Sequence, residues 1–567
     1  MLFALASSYR RQLRRTFAVT LFLVLTLAAP PIIGARANRS VRAAHAIVVA
    51  ESPEAAAAGV EILKAGGNAI DAAAAASLAT GVTHPASCGI GGGGFMLVYL
   101  ARTGKIYALD YRERAPLKAS ATMYLRDGKP DERLARDGAL AIAVPGEIAG
   151  LDAALTRFGT MKFQQVAAPA VRLARGGFPL GAHLAAEIGR IAPHIASDPG
   201  LASTFLKPGG VAPKPGDLIF EKNLADTLVG LGDNPVEKFY HGALAAQIAS
   251  FIDAHGGIVS TADLAAYQPV WREPLHRAYL GDEVYVMPPP SSGGVLLEML
   301  GMLEPGHLAG LGVNTPPYLA RLIEVMREGF VDRDQYADPA FINVPLETLL
   351  SPRHIDEARD RALHHAPPAP TPAVAHDHGT ANLAVVDSAG NVVVLTTTIN
   401  TIFGSKLMDP KTGVIFNNEM DDFAVAPGVP NAFRLQGVAT NEIAPGKRPL
   451  SSMTPTIVVR KGKPIMAVGG SGGPTIITGV LQVMLDVIDF HLGPRAAVDE
   501  PRIHEQAAPP TVIVEATMPS ATRSALEKMG YALRIVPMLG AVGAITIAPG
   551  SLRAAGDPRK GGMAAGY

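Results

Sequence analysis

The sequence predicts a mixed α/β protein that folds either as two domains or as one large body. Its 567 residues are more than one simple core usually holds. Apolar runs of strand length, bounded by glycine and asparagine turns, alternate with amphipathic stretches of helical length. Hydrophobic residues make up 48% of the chain and charged residues 18%, which is typical of a globular protein.

The charge balance and the cysteine count exclude several classes of protein. Lysine plus arginine and aspartate plus glutamate both number 50, so the chain lacks the basic surplus of a general nucleic-acid-binding protein. Cys88 is the only cysteine in the sequence, which rules out an intramolecular disulfide and a cysteine-rich metal site. We interpret Cys88 as a small buried residue, because no base that would activate a thiol stands near it.

The first 37 residues form a predicted signal peptide. Arginines at positions 10, 11, 14 and 15 precede an apolar run of 13 residues, Phe17 to Ala29. The motif Ala35-Arg36-Ala37 then offers a cleavage site before Asn38. The apolar run is shorter than the roughly 20 residues of a spanning helix. We therefore expect export to the periplasm or the medium, with an uncleaved N-terminal membrane anchor as the second choice.

Two helices open the mature chain. Ser52 and Pro53 have the pattern of an N-cap followed by the first helical position, and this helix runs to Lys64. A second, alanine-rich helix runs from Asn68 to about Thr80. Because alanine has so small a side chain, we expect this helix to pack closely against its neighbours.

A glycine-rich run, Cys88 to Gly94, precedes the apolar strand Phe95–Leu100. In a phosphate-binding loop the glycines follow a strand and open a helix, so the order here is the wrong one. We expect these glycines to permit close backbone packing. A second strand, Ile106–Tyr111, pairs with the first through a short turn and ends directly before Arg112.

Helical segments alternate with loops from Pro145 to Glu357, and the Pro/Ala-rich stretch Leu363–His378 is typical of an exposed linker. The linker contains four histidines, which are His364, His365, His376 and His378. No carboxylate or cysteine stands at a ligand spacing from them on a regular element. We therefore expect neither a metal nor another cofactor.

The linker ends at a predicted hairpin whose first strand begins with Thr380. This strand runs to Asp387, and a second one runs from Val392 to Thr398. If the chain were cut between Gly379 and Thr380, Thr380 would carry both a hydroxyl and a free α-amine. An α-amine has an ordinary pKa of about 7.7–8.0, so it can serve as the base for its own nucleophile.

Polar segments cluster next to predicted strands in the last third of the chain. A loop between a strand and a helix N-terminus exposes backbone N–H groups that can hold an anion or a developing oxyanion. The segments are Asn417–Phe423 after the strand Val414–Phe416, Lys447–Thr456 before the strand Ile457–Arg460, and the glycine loop Gly469–Gly473 between the strand Ile465–Val468 and a helix near Thr475.

In their motifs and order these segments resemble the γ-glutamyltransferases, or glutathione hydrolases, of the N-terminal-nucleophile hydrolase superfamily. The resemblance implies a four-layer αββα sandwich built by both subunits of a self-cleaved precursor. It places the large subunit at 38–379 and the small catalytic subunit at 380–567. The matching segments are Gly91–Met96, Asp110–Pro116, Gly379–Asp387, Asn417–Phe423, Lys447–Thr456, Ser471–Ile477 and Gly556–Tyr567.

The resemblance also implies an activity. Such an enzyme cleaves γ-glutamyl amide bonds, and it releases cysteinylglycine from glutathione. It passes the γ-glutamyl group to water, amino acids or peptides through an ester on its threonine. The active form is a heterodimer of the two subunits.

Roles follow for individual positions. The resemblance makes Thr380 the nucleophile of self-cleavage and of turnover, with Thr398 supporting it and with Gly472 and Gly473 as oxyanion donors. It assigns the substrate's α-carboxylate to Arg112, Ser451 and Ser452, and the α-ammonium to Asn400, Glu419 and Asp422. The forked guanidinium suits a planar carboxylate, and acidic side chains suit an ammonium.

Three positions depart from the family's usual pattern. Ala381 and Asn382 stand where a hydroxyl residue and a histidine are common, and Phe433 stands where many members carry a tyrosine in a loop over the site. A cephalosporin or glutaryl-type acylase of the same fold is the alternative function. Asp422 favours γ-glutamyl substrates, because a glutaryl side chain brings no ammonium. A non-catalytic exported binding protein is the alternative from another class.

Overall fold

Two seven-stranded sheets face each other at the centre of the structure, which is a computed structural model. The strands are β1 (Ser40–Ala43), β2 (Ile47–Ala50), β3 (Gly93–Leu100), β4 (Lys105–Tyr111), β5 (Leu125–Arg126), β6 (Lys129–Pro130), β7 (Phe178–Pro179), β8 (Leu218–Ile219), β9 (Val270–Arg272), β10 (Leu275–Tyr279), β11 (Asp282–Val286), β12 (Ala381–Val386), β13 (Val392–Thr398), β14 (Thr456–Arg460), β15 (Lys463–Ser471), β16 (Ile503–His504), β17 (Val512–Glu515), β18 (Leu533–Val536), β19 (Ala541–Ala548), β20 (Ser551–Ala555) and β21 (Met563–Gly566). One sheet has the order β21-β2-β12-β13-β3-β4-β9 and the other β1-β20-β19-β15-β14-β11-β10.

The structure describes residues 38–364 and 379–567. The predicted signal peptide, and the linker histidines other than His364, lie outside the described residues. The described chain groups into one compact unit, so the single large body is confirmed over two domains. Within the described ranges, no helix combines the length and the apolar character needed to cross a membrane.

Helices cover the outer face of each sheet, which confirms the predicted αββα layering. The helices are α1 (Pro53–Lys64), α2 (Ala69–Thr83), α3 (Glu132–Arg136), α4 (Glu147–Phe158), α5 (Phe163–Gly176), α6 (Ala182–Arg190), α7 (Ala192–Ser197), α8 (Pro199–Phe205), α9 (Lys222–Leu231), α10 (Pro235–Tyr240), α11 (Gly242–Ala254), α12 (Thr261–Ala265), α13 (Gly293–Leu303), α14 (Pro316–Arg333), α15 (Leu346–Leu349), α16 (Pro352–His364), α17 (Thr475–Ile488), α18 (Pro494–Asp499) and α19 (Ser520–Lys528). Helices α1 and α2 pack on the first sheet, and α13 and α17 on the second. Every residue of α2 is buried, as its alanine content predicts.

Each sheet contains strands from both sides of Thr380. In the first sheet β12, which begins one residue after Thr380, lies between β2 and β13, and β13 pairs in turn with β3. In the second sheet β11 pairs with β14, and β1 pairs with β20. The segment before Thr380 and the segment after it therefore build one common core.

The glycine-rich run before β3 packs closely against β13, as predicted. A Cβ at Gly92 would lie 1.9 Å from the carbonyl oxygen of Thr398, and one at Gly94 would lie 2.2 Å from that of Thr396. No side chain fits at such distances. The glycines therefore help to set the position of Thr398 at the end of β13.

Two predicted elements differ from the structure. Residues 414–416 do not form a strand, because Ile415 makes only a single bridge to Met408 while Asn417 N–H turns to the carbonyl of Gly91. The predicted loop from Gly469 is also shorter than expected. Its first residues pair with β19 as part of β15, since glycines at a sheet-to-sheet contact can still form ladder hydrogen bonds.

Candidate active site

A pocket of about 270 Å³ opens where the ends of β12 and β13 meet the loop that leads into α17. It is lined by Arg112, Thr380, Thr398, Asn400, Glu419, Asp422, Phe433, Ser451, Ser452, Met453, Gly473 and Ile476. Nine of the ten side chains and glycines predicted from the sequence line it, and Gly472 is the immediate neighbour of Gly473. Residues far apart in the chain thus converge where the sequence places the chemistry.

The candidate nucleophile Thr380 is held by the β12–β13 hairpin. Its hydroxyl oxygen lies 2.9 Å from that of Thr398, and either group can donate. The Thr398 oxygen also accepts a hydrogen bond of 2.8 Å from the N–H of Asn400. Because Thr398 receives this donor, its own proton is free to point at Thr380 and to support a charge that develops there.

The backbone at Thr380 is strained. Its φ is +87°, a region that β-branched residues rarely adopt. A Cβ at the preceding Gly379 would lie 1.9 Å from the carbonyl oxygen of Asn400, so this position requires glycine. Thr380 N–H donates to the carbonyl of Ser87 at 2.9 Å, and this bond helps to hold the strained peptide in place. The strain therefore sits next to the peptide bond whose cleavage would give Thr380 a free α-amine.

A buried ion pair holds the other side of Thr380. The ammonium of Lys560, which is 1% exposed, donates to the carbonyl oxygen of Thr380 at 2.7 Å. It also lies 3.5 Å from the carboxylate of Glu51. Glu51 in turn accepts hydrogen bonds from the hydroxyl of Ser471 and from the N–H of Asn382. This cluster ties the nucleophile to β15, at the end of which the glycine turn begins.

The turn Gly472-Gly473 connects β15 to the N-terminus of α17. Its φ angles are +132° and +60°, which glycine adopts without strain. The Thr475 hydroxyl donates to the carbonyl of Gly472 at 2.7 Å and so fixes the turn. The partial positive charge of a helix N-terminus and the turn's N–H groups together suit a developing oxyanion.

Phe433 covers this turn. It is buried, and a Cβ at Gly473 would lie 2.6 Å from its ring. The ring excludes water from the turn but offers no hydroxyl to a substrate. Asn382, another of the three residues that depart from the family's pattern, is also buried, and its side-chain amide nitrogen has no hydrogen-bond partner.

Arg112 stands at the centre of an acidic group. Its guanidinium binds Glu419 through one nitrogen and Asp422 through another, and Glu113 lies 3.7 Å away. Burial raises the pKa of Glu419 and of Glu113 well above the ordinary value, although Arg112 opposes the shift. Three carboxyl groups thus share one guanidinium, so the group has room for a second cation.

The two serines of the pocket are oriented by separate donors, a second arginine for Ser452 and a backbone N–H for Ser451. Arg333, at the end of α14, is 5% exposed and donates to the hydroxyl oxygens of Ser452 at 3.1 Å and Ser292 at 3.0 Å. Ser451 accepts from the N–H of Met453 at 3.1 Å. Since both pocket serines already accept a hydrogen bond, their own protons are free to point into the pocket.

The sequence analysis missed Arg333 and Lys560. Arg333 lies in a charged stretch of a helix, Asp332-Arg333-Asp334, which is usually solvent-exposed. Lys560 follows directly after Gly556-Asp557-Pro558-Arg559 within the C-terminal segment that carries the family resemblance, and that adjacency is the signal that could have found it. Nothing in the linear sequence indicates that either side chain is buried.

Comparisons with known proteins agree with this geometry. The sequence profile described as Gamma-glutamyltranspeptidase matches residues 55–567. The chain is 37% identical over 538 residues to the glutathione hydrolase proenzyme of Escherichia coli (strain K12), covering 93% of each chain. It is 38% identical over 555 residues to the glutathione hydrolase proenzyme of Pseudomonas sp. (strain A14), covering 94% of this chain and 96% of the relative.

Solved structures show the same fold. The cephalosporin acylase from Bacillus halodurans superposes with a TM-score of 0.80 at 31% identity, covering 95% of this chain and 99% of that one. A chain of the Helicobacter pylori gamma-glutamyltranspeptidase superposes with a TM-score of 0.53 at 36% identity, covering 55% of this chain and 89% of that one. The profile match and the full-length identities confirm the resemblance drawn from the motifs. The chain belongs to the γ-glutamyltranspeptidase family and is an enzyme of that type, with an N-terminal-nucleophile hydrolase fold.

Proposed function

We propose that the protein cleaves γ-glutamyl amides, glutathione among them, and transfers the γ-glutamyl group to water or to an amine. The observation that carries the proposal is the pocket itself. It places the hydroxyl pair Thr380–Thr398 beside a compact group of both charge signs. A substrate with a carboxylate and an ammonium on one carbon matches that group, and its side-chain amide then reaches toward the hydroxyl pair.

The charge arrangement supports recognition of the glutamyl head group. In the substrate-free pocket Arg112 neutralises Glu419 and Asp422 by direct contact. An arriving α-ammonium can replace part of this pairing and take Glu419, Asp422 and Asn400 as acceptors. The guanidinium of Arg112 and the free protons of Ser451 and Ser452 are then available to the α-carboxylate, so each pole of the substrate meets its complement.

Catalysis then follows two steps. The α-amine of cleaved Thr380 removes the proton from its own hydroxyl, and the oxygen attacks the γ-carbonyl carbon. The N–H groups of Gly472 and Gly473 stabilise the oxyanion. The amine of the substrate's γ-amide bond then leaves, and it takes the proton from the α-amine of Thr380. Water or an acceptor amino acid or dipeptide attacks the resulting ester and restores Thr380. We expect ping-pong kinetics.

Maturation by self-cleavage between Gly379 and Thr380 is part of the proposal. The strained φ of Thr380, the requirement for glycine before it and the neighbouring Thr398 hydroxyl support it. The products are a large subunit of residues 38–379 and a small one of residues 380–567. Both contribute strands to both sheets, so the active enzyme is a heterodimer of the two.

Export is proposed from the N-terminal sequence alone. The basic segment, the apolar run and the Ala35-Arg36-Ala37 motif favour a periplasmic or secreted enzyme. N-terminal sequencing of the large subunit from a cell-surface or periplasmic fraction tests this. A chain that begins before Asn38 and stays with the membrane would favour the uncleaved anchor.

Glutaryl or cephalosporin acylation is the second candidate, favoured by the superposition with the Bacillus halodurans acylase. It would use the same nucleophile without an ammonium site. The charge group around Arg112 argues against it, because the buried Glu419 and the partly exposed Asp422 serve no purpose for a glutaryl chain. Parallel assays with γ-glutamyl and glutaryl anilides separate the two functions, and a preference for the glutaryl anilide would overturn the first.

A gel with N-terminal sequencing tests the proposed nucleophile. Fragments of 342 and 188 residues scale to roughly 36 and 20 kDa, given 59.0 kDa for the whole chain. We expect both bands from the native protein, with Thr380 as the first residue of the smaller one. Thr380→Ala should give one uncut band and no release of amine from a γ-glutamyl anilide.

Thr380→Ser is the matched control for this experiment. It keeps a hydroxyl and an α-amine, so it should still cut itself and turn over, at a lower rate. Two bands from Thr380→Ala would refute the assignment of the nucleophile.

A further inference from the structure

Three helices outside the substrate pocket bring a histidine and two carboxylates together. Glu298 lies on α13, Asp332 near the end of α14 and His354 on α16. One ligand atom from each lies within 4.8 Å of the other two. Among the residues that the structure describes, it is the only group of three or more histidine, cysteine or acidic side chains whose ligand atoms lie this close together.

The orientation of Glu298 points to a missing ligand. Its side chain is 1% exposed, and its Oε1 accepts a hydrogen bond of 2.5 Å from the hydroxyl of Tyr336. Its other oxygen, Oε2, is buried without a hydrogen-bond partner, and the side chain lies against Asp332. A buried acceptor that finds no donor is costly unless something else occupies its lone pair.

Asp332 also has one oxygen held by a donor outside the cluster, and its other oxygen contacts His354. Its Oδ1 accepts a hydrogen bond of 3.1 Å from the side-chain amide of Gln335, while its Oδ2 lies 2.7 Å from Nε2 of His354. Each carboxylate therefore has one oxygen held by an outer donor and the other turned toward the cluster. Metal sites in proteins commonly use such outer partners to aim their ligands.

Apart from the imidazole of His354, which is a cation only when protonated, no basic side chain in the described part of the chain balances the two carboxylates. Among the described residues, no lysine or arginine forms an ion pair with Glu298 or Asp332. Two arginines on the helices of Asp332 and His354 are engaged elsewhere, because Arg327 pairs with Glu324 and Arg361 with Glu328. Two carboxylates this close in a buried place need a shared cation or a shared proton.

We propose that Glu298, Asp332 and His354 bind one divalent transition-metal ion, with Zn²⁺ as the preferred occupant. Two carboxylate oxygens and one imidazole nitrogen form a ligand set that suits zinc, and water can complete a tetrahedral shell. The ion has a way in, because the His354 side chain is 18% exposed while the two acids are buried. When the metal binds, Nε2 of His354 gives its lone pair to the ion, and its present contact with Asp332 is lost.

The position of the site gives it a structural consequence. Ser292 directly precedes α13, and Arg333 directly follows Asp332 on α14. Arg333 donates to Ser292 and to the pocket residue Ser452, and the Ser292 hydroxyl donates to the carbonyl of Ser451. A metal that joins α13, α14 and α16 would therefore fix the spacing of the helices that carry these contacts.

Calorimetric titration with ZnCl₂ tests the proposal on the purified mature protein after chelator treatment. We expect one zinc per heterodimer of large and small subunit, confirmed by metal analysis, and a higher melting temperature of the zinc-loaded protein. Glu298→Gln and His354→Gln should each weaken zinc binding at least about tenfold. Cobalt in place of zinc should give the visible absorption of a tetrahedral site, and both variants should lose it.

Controls separate this site from other histidines. His276→Ala removes a histidine of the exposed pair His276–Glu283 and should leave zinc affinity unchanged. If zinc binding survives Glu298→Gln and His354→Gln but is lost in a His365→Ala/His376→Ala variant, the linker binds the metal and the proposal is wrong. Absence of zinc binding by the native protein would equally overturn it, since the cluster then holds a proton in place of a metal. Should Glu298→Gln fail to fold, the partly exposed His354 still decides the question.

Discussion

At the scale of single residues, the charge group around Arg112 is the most informative part of the pocket. The sequence identified Arg112, Glu419 and Asp422 by type and by family position, but as separate poles for a carboxylate and an ammonium. In the structure they contact one another directly. Pairing of this kind could not be predicted, because it depends on the fold bringing together residues about 310 positions apart.

Arg112→Ala should raise the KM for a γ-glutamyl anilide by one to two orders of magnitude, with a much smaller effect on kcat. The substitution removes a charge-assisted hydrogen bond to the substrate and leaves Glu419 and Asp422 buried without their partner. Arg112→Lys should recover only part of the loss, because an ammonium lacks the two-pronged geometry. Steady-state kinetics decide, and an unchanged KM would contradict the role.

Arg333→Ala should raise KM by a smaller factor, about tenfold, because Arg333 acts through Ser452 and not on the substrate itself. Arg333→Lys should restore part of the affinity by donating to the same hydroxyl. Arg361→Ala is the matched control, since Arg361 lies on α16 and pairs with Glu328 away from the pocket. Equal effects of Arg333→Ala and Arg361→Ala on KM would mean that Arg333 is only structural.

At the scale of elements, the turn between β15 and α17 connects the second sheet to the chemistry. Gly473 combines a φ of +60° with the nearby ring of Phe433, so any side chain there disturbs both the backbone and the cover. The turn is also tied to Thr380, the candidate nucleophile, through Ser471, Glu51 and Lys560. Its position is therefore set by contacts to three distant segments.

Gly473→Ala should lower kcat by about 10²-fold, the effect of losing one well-placed oxyanion donor. KM should change little, because the head-group contacts lie elsewhere. Gly462→Ala is the control, since Gly462 has a similar positive φ of +77° in the β14–β15 turn with open space around it. A comparable loss of kcat in the control would assign the effect to general backbone strain.

Local patterns predicted most elements, and long-range contacts explain the exceptions. The β12–β13 hairpin, the helix α1 with its Ser52 cap and the buried alanine helix α2 follow from turn residues, capping and composition. Residues 414–416 read as a strand, yet their hydrogen bonds go to loop residues. The cluster Glu298, Asp332 and His354 was beyond sequence reasoning, because its members come from three helices at no ligand spacing.

At the scale of the whole molecule, buried carboxyl groups should make stability depend on pH. Burial raises the pKa of Glu147, Asp421 and Glu505 to about 7, well above their ordinary values. The folded state therefore holds protons that the unfolded state has released, so unfolding becomes easier as pH rises from about 4.5 to about 7 and levels off above that. This sign is opposite to that of an acid paired at the surface.

The melting temperature should accordingly fall between pH 5 and pH 8 when measured by calorimetry. Glu147→Gln should flatten this dependence, because Glu147 accepts hydrogen bonds from Ser77 and Thr397 and its replacement cannot ionise. At low pH the variant should be less stable by about 1 kcal/mol, since the amide nitrogen cannot accept a hydrogen bond. Glu61→Gln, at an exposed ion pair with Arg172, should leave the slope as it is.

If the chain is cut before Thr380 as proposed, the mixing of strands from both sides of the cut in each sheet has a consequence for the lifetime of the protein. Before the cut, folding is a reaction of one chain with itself. After it, the same core consists of two molecules, and the β12–β13 hairpin must find β2 and β3 of the other subunit again from solution. Refolding then depends on concentration, whereas the uncut chain refolds without a partner. The mature protein is thus protected by slow unfolding more than by reversible equilibrium, and each molecule that unfolds is more easily lost than its precursor.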